Sequence, residues 1–198
     1  MLLSNYSGKL LEAGIDEAGR GCLAGPVVAA AVILPADYQN GLLNDSKQLS
    51  SKQRLLLREQ VIKDALAWCV GEASVAEIDK VNILQATYLA MHRAVDGLKL
   101  RPEHLLIDGN RFKPYNTVPY TCVVKGDGKY LSIAAASILA KTYRDELMQE
   151  LAKEYTAFGW EQNAGYPTKK HRAAIAETGA TLHHRQSFRL LPDQLPLL

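Results

Sequence analysis

The stretch "PVVAAAVIL" at residues 26–34 constrains the fold more than any other part of the chain. It is almost wholly apolar and rich in β-branched valine. A strand with one wet face alternates polar and apolar residues. This one has no polar face, so it reads as a central strand. Residues 10–17 read as a second strand just before it, and the "AGRGCLAG" between them is too glycine-rich for helix or strand.

The rest of the chain supplies partners for that core. Residues 50–70 read as a helix with Ser50 or Ser51 as N-cap and Leu57, Val61, Ala65 and Trp68 on one face; a strand near 67–73 overlaps its end. A second helix spans 82–98. Asn82 is its cap, and Ile83, Thr87, Ala90, Met91, Ala94, Val95 and Leu98 form its stripe. "HLLID" (104–108) and "YTCVV" (120–124) read as short strands. Residues 132–155 form a long helix whose alanine-crowded first half permits close approach to the sheet. Thr168 caps a last helix that ends at Gly179, and the tail after Phe188 is expected to be loosely held. Strands come first and then alternate with helices, which gives an α/β class with a mixed sheet. At 198 residues the chain suits one domain, 1–198, with a basic helical part over about 165–188 and a flexible tail over 189–198.

The net charge of +2 does not announce a polyanion binder. Its distribution says more. Lys169, Lys170, Arg172, Arg185 and Arg189 face the single acid Glu177 between Gly165 and Arg189, with His171, His183 and His184 among them. That segment could meet phosphates or form a solvated helix face. Cys22, Cys69 and Cys122 are widely spaced and form no CxxC pair, so neither zinc nor a disulfide framework is signalled, and a reducing cytoplasm is expected. No run of about 18 apolar residues argues for a membrane span, and the N-terminus has no secretory pattern.

The acids carry the chemistry. Asp16 and Glu17 stand together in "AGIDEAGRG", Asp108 ends a strand in "LLIDGN", and Asp127 follows a strand in "VVKGDGKY". Each Asp-Gly alone reads as a turn. Together, three segments run apolar residues into an acid at the sheet's edge, where open α/β sheets bind ligands. Carboxylates gathered there repel unless cations join them. Oxygen-only donors point to Mg²⁺ or Mn²⁺. Asp16 can face the ions from the strand's end, and a turn at Ala18-Gly19 is expected to swing Glu17 to the same side. "GRGCLAG" superficially resembles a dinucleotide fingerprint, but its glycines give GxGxxxG rather than GxGxxG. Gly19 and Gly21 can instead expose backbone polar groups to a close ligand, with Arg20 between them.

"GIDEAGRG", "NDSKQLS", "LIDGN", "KGD", "SIAAASILAKTYRD", "GYPT" and "HHRQSF" occur in the order found in bacterial ribonuclease HII, the type 2 ribonuclease H, and the resemblance runs from about residue 12 to 188. It implies an RNase H-like fold with a mixed five-stranded sheet flanked by helices and a small helical C-terminal part. It implies cleavage of the RNA strand of RNA–DNA hybrids and of single ribonucleotides embedded in DNA. By the same resemblance Asp16, Glu17, Asp108 and Asp127 are the catalytic and metal-binding acids. Gly19, Arg20, Gly21 and Tyr166 contact substrate, and Lys47 in "DSK" contacts phosphate. The family also suggests a monomer.

Two cations can clamp an in-line displacement at phosphorus, one activating water and the other stabilising the departing 3′-oxygen. The expected ends are a 3′-hydroxyl and a 5′-phosphate. The 2′-hydroxyl separates RNA from DNA. The backbone of Gly19-Arg20-Gly21 suits it, while Tyr166 would pack on the next sugar. Lys141, Arg144, Lys169, Lys170 and Arg172 are candidates for backbone phosphates, Lys141 and Arg144 equally for structural ion pairs. Gln194–Leu198, "QLPLL", resembles the short peptide that docks bacterial repair proteins on the sliding clamp. The rivals are another two-metal nuclease of this fold, a non-catalytic nucleic-acid-binding module, and a nucleotide-binding enzyme.

Overall fold

The computed structural model describes residues 2–43 and 49–191, so Lys47 and Gln194–Leu198 lie outside the described residues. Five strands form one sheet: β1 (Glu12–Ala18), β2 (Val27–Ile33), β3 (Ala67–Ala73), β4 (His104–Asp108) and β5 (Tyr120–Val123), in the order β3-β2-β1-β4-β5. β2 pairs antiparallel with β1 and β3, whereas β4 runs parallel to both β1 and β5. Every residue of β2 is buried, as its uniform apolar sequence requires.

Helices cover both faces. Odd-numbered β1 residues Ala13 and Ile15 pack with Leu105 and Ile107 against α2 (Val75–Asp96). The opposite face, with Val28, Ala30 and Val32, meets α1 (Ser51–Asp64) and α3 (Leu131–Glu154). α3 lies directly on β1: a Cβ built on Gly14 would fall 2.2 Å from the Ser132 carbonyl carbon. Only glycine permits that approach, and the alanines of α3 extend it.

A third cluster joins the end of α3 to α4 (Trp160–Asn163) and α5 (Lys169–Thr178), the small helical C-terminal part. Thr168 caps α5 by accepting from the His171 amide, and Gly179 closes it.

Three local expectations change. α1 stops at Asp64 rather than near Val70, because Ala65 leaves helical geometry and β3 claims Ala67 onward. α2 begins earlier, at a Ser74–Glu77 capping box, and breaks at Asn82 (φ 68°, ψ 164°). Asn82 Oδ1 accepts from the amides of Leu84 and Gln85, so it does cap the second, longer part of α2. The start of the expected loose tail is packed: Leu190 is buried, and Arg172 Nη1 donates to the carbonyls of Arg189 and Leu190.

Candidate active site

Asp16 and Asp108 come together through strand register. The parallel ladder aligns Gly14 with Leu106 and Ile15 with Ile107, so the next residues, Asp16 near the end of β1 and Asp108 at the end of β4, follow on the same face. That is the α3 face, where the Ser137 side chain hydrogen-bonds Asp16. Asp16 Oδ1 also accepts the Glu17 amide at 2.7 Å. Asp108 Oδ1 accepts the Gly126 amide at 2.6 Å, which ties β4 to the 3-10 turn Gly126–Gly128 carrying buried Asp127. All three acid-bearing segments therefore meet at one end of the sheet.

Glu17 arrives differently from the expectation. β1 continues through Ala18, so no turn intervenes, and strand alternation directs Glu17 to the α2 face. The adjacent carboxylates thus straddle the end of β1. Glu17 pairs with Arg20 at 3.1 Å. Both line a cleft of about 320 Å³ with Leu84, Thr87, Asp108 and Arg111.

Electrostatics mark Asp16 as the strained member. Burial pushes its carboxyl well above the usual range, and the charges of Glu17 and then Asp108 add to the effect. A divalent cation among these oxygens would relieve all three causes. The donor set is all oxygen and suits Mg²⁺ or Mn²⁺. Among the described residues no three acids, histidines or cysteines already stand in a closed metal cage.

The Gly19-Arg20-Gly21 loop follows β1 directly, beside these acids. Gly19 has φ 95°, and a Cβ there would lie 2.0 Å from Arg144 Nε, so glycine is doubly required. Tyr166 borders the same loop. Its hydroxyl lies against the Cys22 thiol, and burial raises both groups' pKa values. The Leu23 amide donates to Gly165 O at 2.8 Å, fixing the tyrosine's backbone to the loop.

Several basic candidates have other work. Arg144 and Arg185 are 1% and 0% exposed and bind backbone carbonyls, so neither can meet a phosphate. Arg172 Nη1 holds the chain at Arg189 and Leu190. Lys141 pairs with Asp145. Lys169 and Lys170 remain exposed.

His171 and His184 are buried and neutral rather than basic. His171 Nδ1 donates to Tyr166 O at 2.9 Å, so its Nε2 accepts, from Trp160 Nε1 at 3.0 Å and His184 Nε2 at 3.1 Å. His184 Nδ1 in turn accepts the Thr181 amide at 2.9 Å. Sequence reasoning missed this network and the contact of Ser137 with Asp16. Ser137 and Arg144 within α3 and the histidines and arginine of "HHRQSF" were visible, but nothing in their identity says which way they face.

The family profile described as Ribonuclease HII matches residues 13–191. A Bacteroides fragilis protein named Ribonuclease HII is 67% identical over 193 residues, covering 98% of this chain and 96% of its own. Two solved structures share the fold. The PCNA:RNase HII complex from Archaeoglobus fulgidus gives a TM-score of 0.76 at 28% identity, over 94% of this chain and 98% of that one. Ribonuclease H2 from Pyrococcus horikoshii OT3 gives 0.75 at 26%, over 90% and 94%.

Proposed function

This chain belongs to the ribonuclease HII family, divalent-metal-dependent hydrolases of phosphodiester bonds, and we propose that it cleaves the RNA strand of RNA–DNA hybrids and duplex DNA at single embedded ribonucleotides. The observation that carries this reading is the alignment of Asp16 and Asp108 on parallel strands, immediately beside a Gly-Arg-Gly loop whose Arg20 and Gly21 are exposed. An acid pair beside backbone polar groups suits a phosphodiester whose sugar must be identified.

Asp16, Glu17, Asp108 and Asp127 hold two divalent ions, Mg²⁺ or Mn²⁺. Such ions supply Lewis acidity and a water of lowered pKa. The chain's residues do the rest. Gly19-Arg20-Gly21 meet the 2′-hydroxyl through their backbone, because glycine allows a sugar to come close. Tyr166, partly exposed beside the loop, packs on the next sugar, where a second 2′-hydroxyl would crowd it. Lys169 and Lys170 are free to meet phosphates, and Lys47 is assigned the same role by the family motif. These phosphate contacts position the duplex without reading sequence.

The enzyme acts as a monomer in the cytoplasm in this reading; no helix among the described residues is long and apolar enough to cross a membrane. Gln194–Leu198 docks it on a sliding clamp, a proposal supported by the PCNA:RNase HII complex of the Archaeoglobus fulgidus relative. Cleavage of a DNA duplex carrying one ribonucleotide, with the ends mapped, tests the function. The expected products carry 3′-hydroxyl and 5′-phosphate ends and need Mg²⁺ or Mn²⁺. Failure to cut beside the ribonucleotide would refute the embedded-ribonucleotide reading.

A further inference from the structure

The Gly19-Arg20-Gly21 loop is held from behind by two buried guanidinium groups, and among the described residues neither forms an ion pair. Arg185 does most of the holding. Its Nη2 donates to Gly19 O at 2.7 Å, and its Nη1 donates to Arg20 O at 2.9 Å. Its Nε and Nη2 both reach Gly25 O, at 3.0 and 2.8 Å. Arg144, from α3, takes the carbonyls of Pro26, Ala24 and Ala164 at 3.0, 2.9 and 2.8 Å.

The consequence follows from peptide geometry. In a trans peptide unit the C=O and the N–H point in opposite directions. Drawing Gly19 O inward turns the Arg20 N–H outward, and drawing Arg20 O inward turns the Gly21 N–H outward. Both residues are exposed, and Arg20 lines the cleft with Glu17 and Asp108. Neither amide has an acceptor among the described residues.

Arg185 is itself well anchored. Its amide donates to Leu23 O at 2.8 Å, and its guanidinium carbon lies 5.1 Å from the centre of the Phe188 ring. Asp79 on α2 accepts the amides of Gln186 and Ser187, both at 3.0 Å.

We propose that Arg185 is a positioning residue for cleavage: by holding the Gly19 and Arg20 carbonyls inward, it aims the Arg20 and Gly21 amides at sugar and phosphate oxygens of the bound ribonucleotide. The inference rests on the function proposed above. A planar fork of N–H donors is needed to reach several carbonyls at once, and lysine has the charge without the fork.

Two measurements test it. In the wild-type protein, backbone ¹⁵N–¹H resonances of Arg20 and Gly21 shift on binding a non-cleavable hybrid; resonances that stay in place would overturn the inference whether or not any variant folds. In Arg185→Lys, the single-turnover rate per folded molecule on the one-ribonucleotide duplex falls roughly a hundredfold, the scale of losing an oriented backbone donor. Its hybrid affinity in Ca²⁺ stays close to wild type. A merely structural role would lower thermal stability and the folded fraction but leave that rate unchanged, and this result would also overturn the inference. A wild-type protein that binds the hybrid but cannot cut the duplex would refute the underlying function instead, and this inference with it.

Discussion

Asp16, two residues before the end of β1, and Asp108, the last residue of β4, each follow the aligned pair Ile15 and Ile107 on parallel neighbours, and both project to the α3 face. Parallel pairing makes this possible, since an aligned pair on parallel strands keeps its side chains on one side of the sheet. Two like charges in that place are costly without a counterion, and Asp16 shows it. Its carboxyl is raised by burial first and by Glu17 and Asp108 next.

Replacing Asp108 by asparagine should therefore leave the fold and hybrid binding largely intact while removing a metal ligand. The cleavage rate should fall by about a thousandfold, the scale of several kcal/mol of lost transition-state stabilisation. Steady-state cleavage in Mg²⁺ alongside hybrid binding in Ca²⁺ measures both. Near-normal turnover would remove Asp108 from the mechanism.

Asp16→Asn should raise the melting temperature of the metal-free protein at pH 7. A carboxyl whose folded pKa is raised stabilises the fold when protonated, and that contribution is lost as pH rises through the folded value. Asparagine removes the cost of ionisation. The same variant should lose most of the stabilisation that added Mg²⁺ gives the wild type. Calorimetry with and without Mg²⁺ decides both points.

Acid should loosen the C-terminal part. Burial lowers His184 to about 4, with the neighbouring His171 and His183 adding to it, and His171 is lowered too. A histidine buried neutral contributes stability that is complete above its unfolded pKa and is lost as pH falls toward the folded one. Between about pH 6.5 and 4 the loss should be on the order of 3 kcal/mol for His184. Urea unfolding across that range should show a weaker pH dependence in His184→Gln. An unchanged pH profile would exclude the network as its source.

Tyr166→Ala should slow cleavage at a lone ribonucleotide by about tenfold or more, as expected when a substrate group is misplaced. Tyr166→Phe keeps the ring and should retain most of the activity. Equal rates for wild type and Tyr166→Ala would make the tyrosine a packing residue only.

The strands were legible because their sequences have no other use. "PVVAAAVIL" became the fully buried β2, and "HLLID" became β4 to the residue. The acids could be singled out because each follows such a strand. Glu17 was misread because the length of β1 beyond it decides its face, and a glycine turn two residues later hid that. The roles of Arg144, Arg172 and Arg185 were not legible for a different reason. Their charge suggests phosphate, whereas the structure turns all three to backbone carbonyls, Arg144 and Arg185 as buried forks and Arg172 through Nη1 at the packed start of the tail. The start of α2 was missable but readable, since Ser74 and Glu77 stand at capping-box spacing.

Manganese binding tests the central claim most directly. Free Mn²⁺ can be followed by electron paramagnetic resonance during titration of the wild type, Asp16→Asn, Asp108→Asn and Asp127→Asn, each with a non-cleavable hybrid present. The account predicts two ions per wild-type chain and fewer or much weaker ions in every variant. Wild-type stoichiometry and affinity in Asp16→Asn, Asp108→Asn or Asp127→Asn would contradict it.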